Sequence, residues 1–68
     1  MDINIFKQKN LNEDDKIWIM NKGGEGFNGL YKGNFIEKKS TFEFYNYSNG
    51  KLETIFILHL QRLEKKII

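Results

Sequence analysis

The chain has 68 residues, a net charge of +2 and no cysteine. A chain of this length buries only about 60% of its unfolded surface, and no disulfide or thiolate-bound zinc reinforces it. One histidine, His59, leaves too few ligands for an all-protein transition-metal site. Stability must then come from packing six Phe, three Tyr and one Trp, or from association of copies, and homo-oligomerisation stays open. The charge is too small to imply a nucleic-acid partner by itself. No apolar run approaches the roughly 18 residues of a membrane span, and the N-terminus lacks the apolar core of a signal peptide. The expectation is one small domain over residues 1–68, cytoplasmic, with no membrane partner and no cofactor.

Residues 1–15 read as an N-terminal arm or short helix followed by a polar loop. Ile3, Phe6 and Leu11 can form one apolar stripe with Asp2 as N-cap; the competing reading is a frayed terminus with Phe6 tucked against the rest. Glu13, Asp14 and Asp15 read as a solvated connection, because no further carboxylate or loop glycine follows at calcium-loop spacing. Residues 16–20 form the first strand, with Ile17 and Ile19 on one face and Trp18 and Met20 on the other. Trp18 is expected as a core anchor.

Residues 21–33 hold Gly23, Gly24, Gly26, Gly29 and Gly33. The stretch from Gly24 to Gly29 fits G-x-G-x-x-G, but that fingerprint needs a helix opening at the motif. Here Leu30, Tyr31, Phe35 and Ile36 point to a strand instead. The segment is therefore expected as a flexible glycine loop, then a long bent strand over residues 27–37 in which Gly29 and Gly33 permit bulges. A short charged turn follows at residues 37–40.

Residues 41–60 read as a hairpin. Its flanks are aromatic and β-branched, and Asn49-Gly50 suits a two-residue type I′ turn. That turn predicts Tyr47 opposite Leu52, Tyr45 opposite Thr54 and Phe44 opposite Ile55. It would also bring Ser40 opposite His59. Neither face is cleanly hydrophilic, which favours a strongly bent sheet that closes into a barrel. After Leu60 two readings compete: a helix through Leu63 and Ile67, or a 3₁₀ turn at residues 59–62 with a closing strand at 63–67. The second is taken.

The fold class is thus mainly β, a bent antiparallel sheet closing into five strands. The order of elements resembles the small barrels of the Src-homology-3 type and the related Sm-like proteins. The likeness rests on Lys16 to Ile19, Gly29 to Ile36, the Asn49-Gly50 turn and the link from His59 to Leu63. It implies binding of RNA, DNA, Pro-rich peptides or like chains. The acidic-aromatic peptide groove and the uridine pocket of those families are not recognisable, so no family binding residue carries over.

For chemistry the chain offers one His, two Ser, two Thr and no Cys, without an orienting third group or oxyanion loop. A non-enzymatic binding module is expected. Tyr31, Lys32, Tyr45, Tyr47, Lys51 and Arg62 supply aromatics and cations for a nucleic-acid surface, so RNA or DNA is ranked first. The alternative is a protein partner, as for a phage- or plasmid-type regulator or inhibitor of a larger machine.

Overall fold

The structure is a computed structural model, and it describes residues 1–67. A short helix, α1 (Ile3–Lys7), precedes five strands: β1 (Lys16–Asn21), β2 (Gly26–Ile36), β3 (Thr41–Asn46), β4 (Lys51–Phe56) and β5 (Leu60–Lys65). All pairings are antiparallel, in one sheet of order β4-β3-β2-β1-β5. The mainly β expectation holds. The sheet is bent but not closed: β4 and β5 form its two ends and do not pair with each other.

Asp2 caps α1 by accepting from the Asn4 N–H at 2.6 Å. The helix delivers Phe6 into the core, where it stacks on Phe42 with centroids 5.2 Å apart. Ile17, Ile19, Phe44, Ile57, Leu60 and Leu63 complete the buried centre. Tyr31 belongs to it too, 5.3 Å from Phe42 and 7% exposed. Burial pushes the Tyr31 hydroxyl pKa up.

The two glycines of the bent strand play different parts. Gly33 has φ +78°, in the left-handed region, and the β2–β3 register shifts on both sides of it. Gly29 is instead a point of close approach. A Cβ there would lie 2.0 Å from the Tyr45 carbonyl oxygen and 2.6 Å from the Phe44 ring.

The hairpin corrects the expected register by two residues. Tyr45 lies opposite Leu52, Phe44 opposite Glu53 and Phe42 opposite Ile55. The loop is residues 47–50 rather than two residues, because asparagine side chains take the backbone bonds a tight turn would make. Asn46 Oδ1 accepts from the Ser48 N–H and Asn49 Oδ1 from the Lys51 N–H. The Gly50 N–H donates to the Asn46 carbonyl, and of the two expected turn residues Gly50 alone has positive φ. A shift of two keeps every side chain on its expected face. Ser40 consequently meets Ile57, not His59: the Ile57 N–H donates to the Ser40 carbonyl at 2.8 Å.

The 3₁₀ turn before the last strand comes early, at Ile57–His59, and β5 starts at Leu60. Another 3₁₀ turn, Glu37–Lys39, ends on Ser40 in the left-handed conformation and joins β2 to β3.

Candidate binding surface

Alternation along each strand sends one set of side chains to the core and the other outward. On β1, Ile17 and Ile19 are buried while Trp18 and Met20 are half-buried on the outer face. Trp18 is therefore not the core anchor its size suggests. Its indole lies across Gly26, within 2.8 Å of where a Cβ would stand. The Arg62 guanidinium sits over the ring, 5.7 Å from the centroid.

The register assembles this outer face across the sheet. Lys16 is opposite Leu30, Leu30 opposite Tyr45, and Tyr45 opposite Leu52. Beside that row lies a second: Trp18 is flanked by Asn28 and Glu64, and the Tyr47 N–H bonds the Asn28 carbonyl at 3.0 Å. Tyr45 and Tyr47 pack edge to face at 6.0 Å. Tyr47, Leu52 and Phe56 are each half-exposed, and Tyr45 is 36% exposed. The result is a mainly apolar, aromatic platform on the convex side of the sheet.

The six residues expected at a binding face divide. Tyr45, Tyr47 and Arg62 share the outer face. Tyr31 is in the core and presents no ring to a ligand. Lys32 is held by Asp14 at 2.5 Å, with Glu13 at 3.9 Å, and the Asp14 bond raises its pKa first. Lys51 stands opposite Asn46, on the inward-facing parity of the hairpin. Arg62 is ion-paired to Glu64 on its own strand. Trp18, Leu30 and Leu52 join that face without belonging to the expected aromatic and basic set.

A second feature lies on the inner side, where β4 and β5 fail to meet. A cleft of about 400 Å³ opens there, floored by Ile19, Phe27, Ile55 and Leu60 and edged by Asn46 and Glu53. Asn46 is buried at 3% exposure. Its Nδ2 donates to Glu53 Oε1 at 3.0 Å, and Asn49 Nδ2 donates to Glu53 Oε2 at 2.9 Å. Those two bonds, the Asn46 one first, hold the Glu53 carboxyl below the ordinary glutamate range.

A carboxylate with a depressed folded-state pKa adds stability above its unfolded pKa, and that stability is lost as pH falls through the folded value. The urea midpoint is therefore expected to drop below about pH 4.3, the unperturbed glutamate value. Glu53→Gln is expected to flatten part of that slope. A variant with the parent's full acid slope would remove Glu53 as a contributor.

Among the described residues no group of three or more His, Asp or Glu could hold a metal ion, and no helix is long and apolar enough to cross a membrane. Comparison of the chain with family models, curated proteins and solved structures finds no match.

Proposed function

We propose that this protein is a non-enzymatic protein-interaction module that docks a larger partner on the outer face of its sheet. The observation that carries this reading is the row Leu52, Tyr45 and half-buried Leu30 beside Tyr47, aromatic and aliphatic together, with Leu52, Tyr45 and Tyr47 open to solvent. Interface centres are rich in tyrosine and tryptophan and poor in charge. Of the three cations expected at a nucleic-acid surface, Lys32 is paired with Asp14 and Arg62 with Glu64, and Lys51 lies off the outer face. Nucleic acid, ranked first from the sequence, thus becomes the second reading. It keeps support from the exposed Tyr45 and Tyr47 pair and from Trp18 under Arg62, which are stacking groups for bases.

The succession of strand, glycine loop, bent strand, hairpin, 3₁₀ turn and last strand supports kinship with the Src-homology-3 and Sm-like architecture. A cysteine-free chain suits a reducing compartment, and we place it in the cytoplasm.

Two immobilised baits test the reading, the parent and the Tyr45→Ala/Tyr47→Ala double variant. Proteins retained by the parent are expected to be lost from the variant, at about 1–3 kcal/mol per tyrosine, with the dispersed amide spectrum of a folded chain kept. Equal retention by both baits would remove the outer face as the docking site. Salt-sensitive amide shifts at Tyr45, Tyr47 and Arg62 on adding a pool of short single-stranded RNA and DNA would favour nucleic acid instead.

A further inference from the structure

β4 is an edge strand with nothing covering it among the described residues. It pairs with β3 through consecutive residues from Lys51 to Phe56 without a bulge, and its other side faces the cleft. Edge strands are usually blunted by proline, a bulge or a covering element, because their unpaired N–H and C=O groups invite another strand. β4 has no proline and no bulge. Its guards are two charges of inward parity, Lys51 at the start of the strand and Glu53 in its middle. That carboxylate is tied to Asn46 and Asn49, so it discriminates by charge without filling the gap.

The cleft under this edge has side-chain chemistry as well as space. Residues 53–56 line it from one side and Leu60 from the other. A strand laid along β4 would alternate its side chains between the two faces. On the inner face, the residue opposite Glu53 would meet an anion. The residue two positions along, opposite Ile55, would enter the apolar floor of Phe27 and Leu60. On the outer face its intervening side chains would cover Leu52 and Phe56, which are 55% and 52% exposed. Directly opposed side chains lie about 4.5–5.5 Å apart, close enough for each of these pairings.

We propose that an extended segment of a partner protein, carrying a lysine or arginine two residues from an aliphatic side chain, adds as a strand to the edge of β4 and fills the gap towards β5. This rests on the protein-interaction reading and names the partner's form. Backbone bonds to β4 supply the affinity, and the cation and the aliphatic side chain supply the selection. A second copy of this chain is a poorer occupant. Antiparallel pairing of β4 with itself sets Glu53 against Glu53 or Ile55, or else against Lys51 with the loop residue Asn49 opposite Ile55, so no register brings a cation to Glu53 and an aliphatic side chain to Ile55 together.

The probe is a short capped peptide of valines and threonines, with one lysine and one isoleucine two positions apart, added to ¹⁵N-labelled protein. Saturable shifts are expected at amides 53–56 and at Leu60. N-methylating the peptide on alternate amides is expected to abolish them, since only the strand pairing is removed. Exchanging its lysine for glutamate is expected to weaken binding about tenfold, the usual scale of a hydrogen bond to a charged group. Glu53→Gln is expected to erase that preference while the parent peptide still binds.

Equal binding of the N-methylated peptide would overturn strand addition. So would a silent titration, or a silent titration with a dimeric mass in sedimentation, which would assign the edge to a second copy. Shifts confined to Trp18, Tyr45 and Tyr47 would overturn the edge proposal and leave the outer-face reading standing.

Discussion

Gly29→Ala is expected to cost at least about 3 kcal/mol of folding stability, the upper range for forcing extra atoms into a packed site. The added Cβ would sit 2.0 Å from the Tyr45 carbonyl oxygen, which is backbone and cannot swing aside. It would also press on Phe44, which is fully buried. Relief requires β2 and β3 to separate where Gly29 lies opposite Asn46, and that residue anchors the hairpin loop. A chain of this size has a total stability of only about 3–10 kcal/mol by the usual per-residue range. Gly29→Ala should therefore lower Tm by about 12–24 °C or prevent folding. Gly24→Ala is the control. Its site is open, with no heavy atom within 4 Å, and only its φ of +92° opposes a side chain, at about 1–2 kcal/mol. Thermal unfolding of both variants checks the order. Near-parental stability of Gly29→Ala would mean that the two strands are not in this close contact.

The faces of the hairpin were legible in the sequence, and its register was not. Side-chain orientation depends only on parity, so Phe42, Phe44, Ile55 and Ile57 stay together whether the loop holds two residues or four. Register depends on which groups take the turn's hydrogen bonds. Asn49-Gly50 suits a type I′ turn only if both residues adopt positive φ. Asn46 and Asn49 each bond a backbone N–H two residues ahead, and together they clamp Glu53. That network outweighs the local preference. The signal was present as two asparagines around the turn, Asn46 and Asn49, but propensity alone does not rank side-chain bonds against backbone conformation.

The binding surface was half legible for a related reason. Tyr45 and Tyr47 follow from parity within one strand and its loop. Tyr31 was misplaced because its neighbour Lys32 suggested exposure, whereas sharing parity with Gly29 and Phe27 sends it inward. Arg62 comes to lie over Trp18 only because β5 crosses back to pair with β1. That contact spans most of the chain and has no local signature. The edge of β4 is likewise a property of strand order, which alternation does not encode.

Phe42→Ala and Tyr47→Ala should separate the two roles that aromatics play in this chain. Phe42 is fully buried and packs at 5.2 Å on Phe6 and 5.3 Å on Tyr31. Its truncation leaves a cavity between α1 and the sheet. The expected loss is about 3–5 kcal/mol, enough to unfold much of the population at 25 °C. Tyr47 lies in the hairpin loop, half-exposed, with its ring edge-on to Tyr45. Its truncation should change stability by no more than about 0.5 kcal/mol, while weakening the partner docked on the outer face. Urea unfolding of the two variants measures the contrast directly. A Tyr47→Ala variant as unstable as Phe42→Ala would make the outer tyrosines structural and strip the outer face of its claim to a partner. A folded Phe42→Ala variant with parental stability would mean that the core does not centre on this ring.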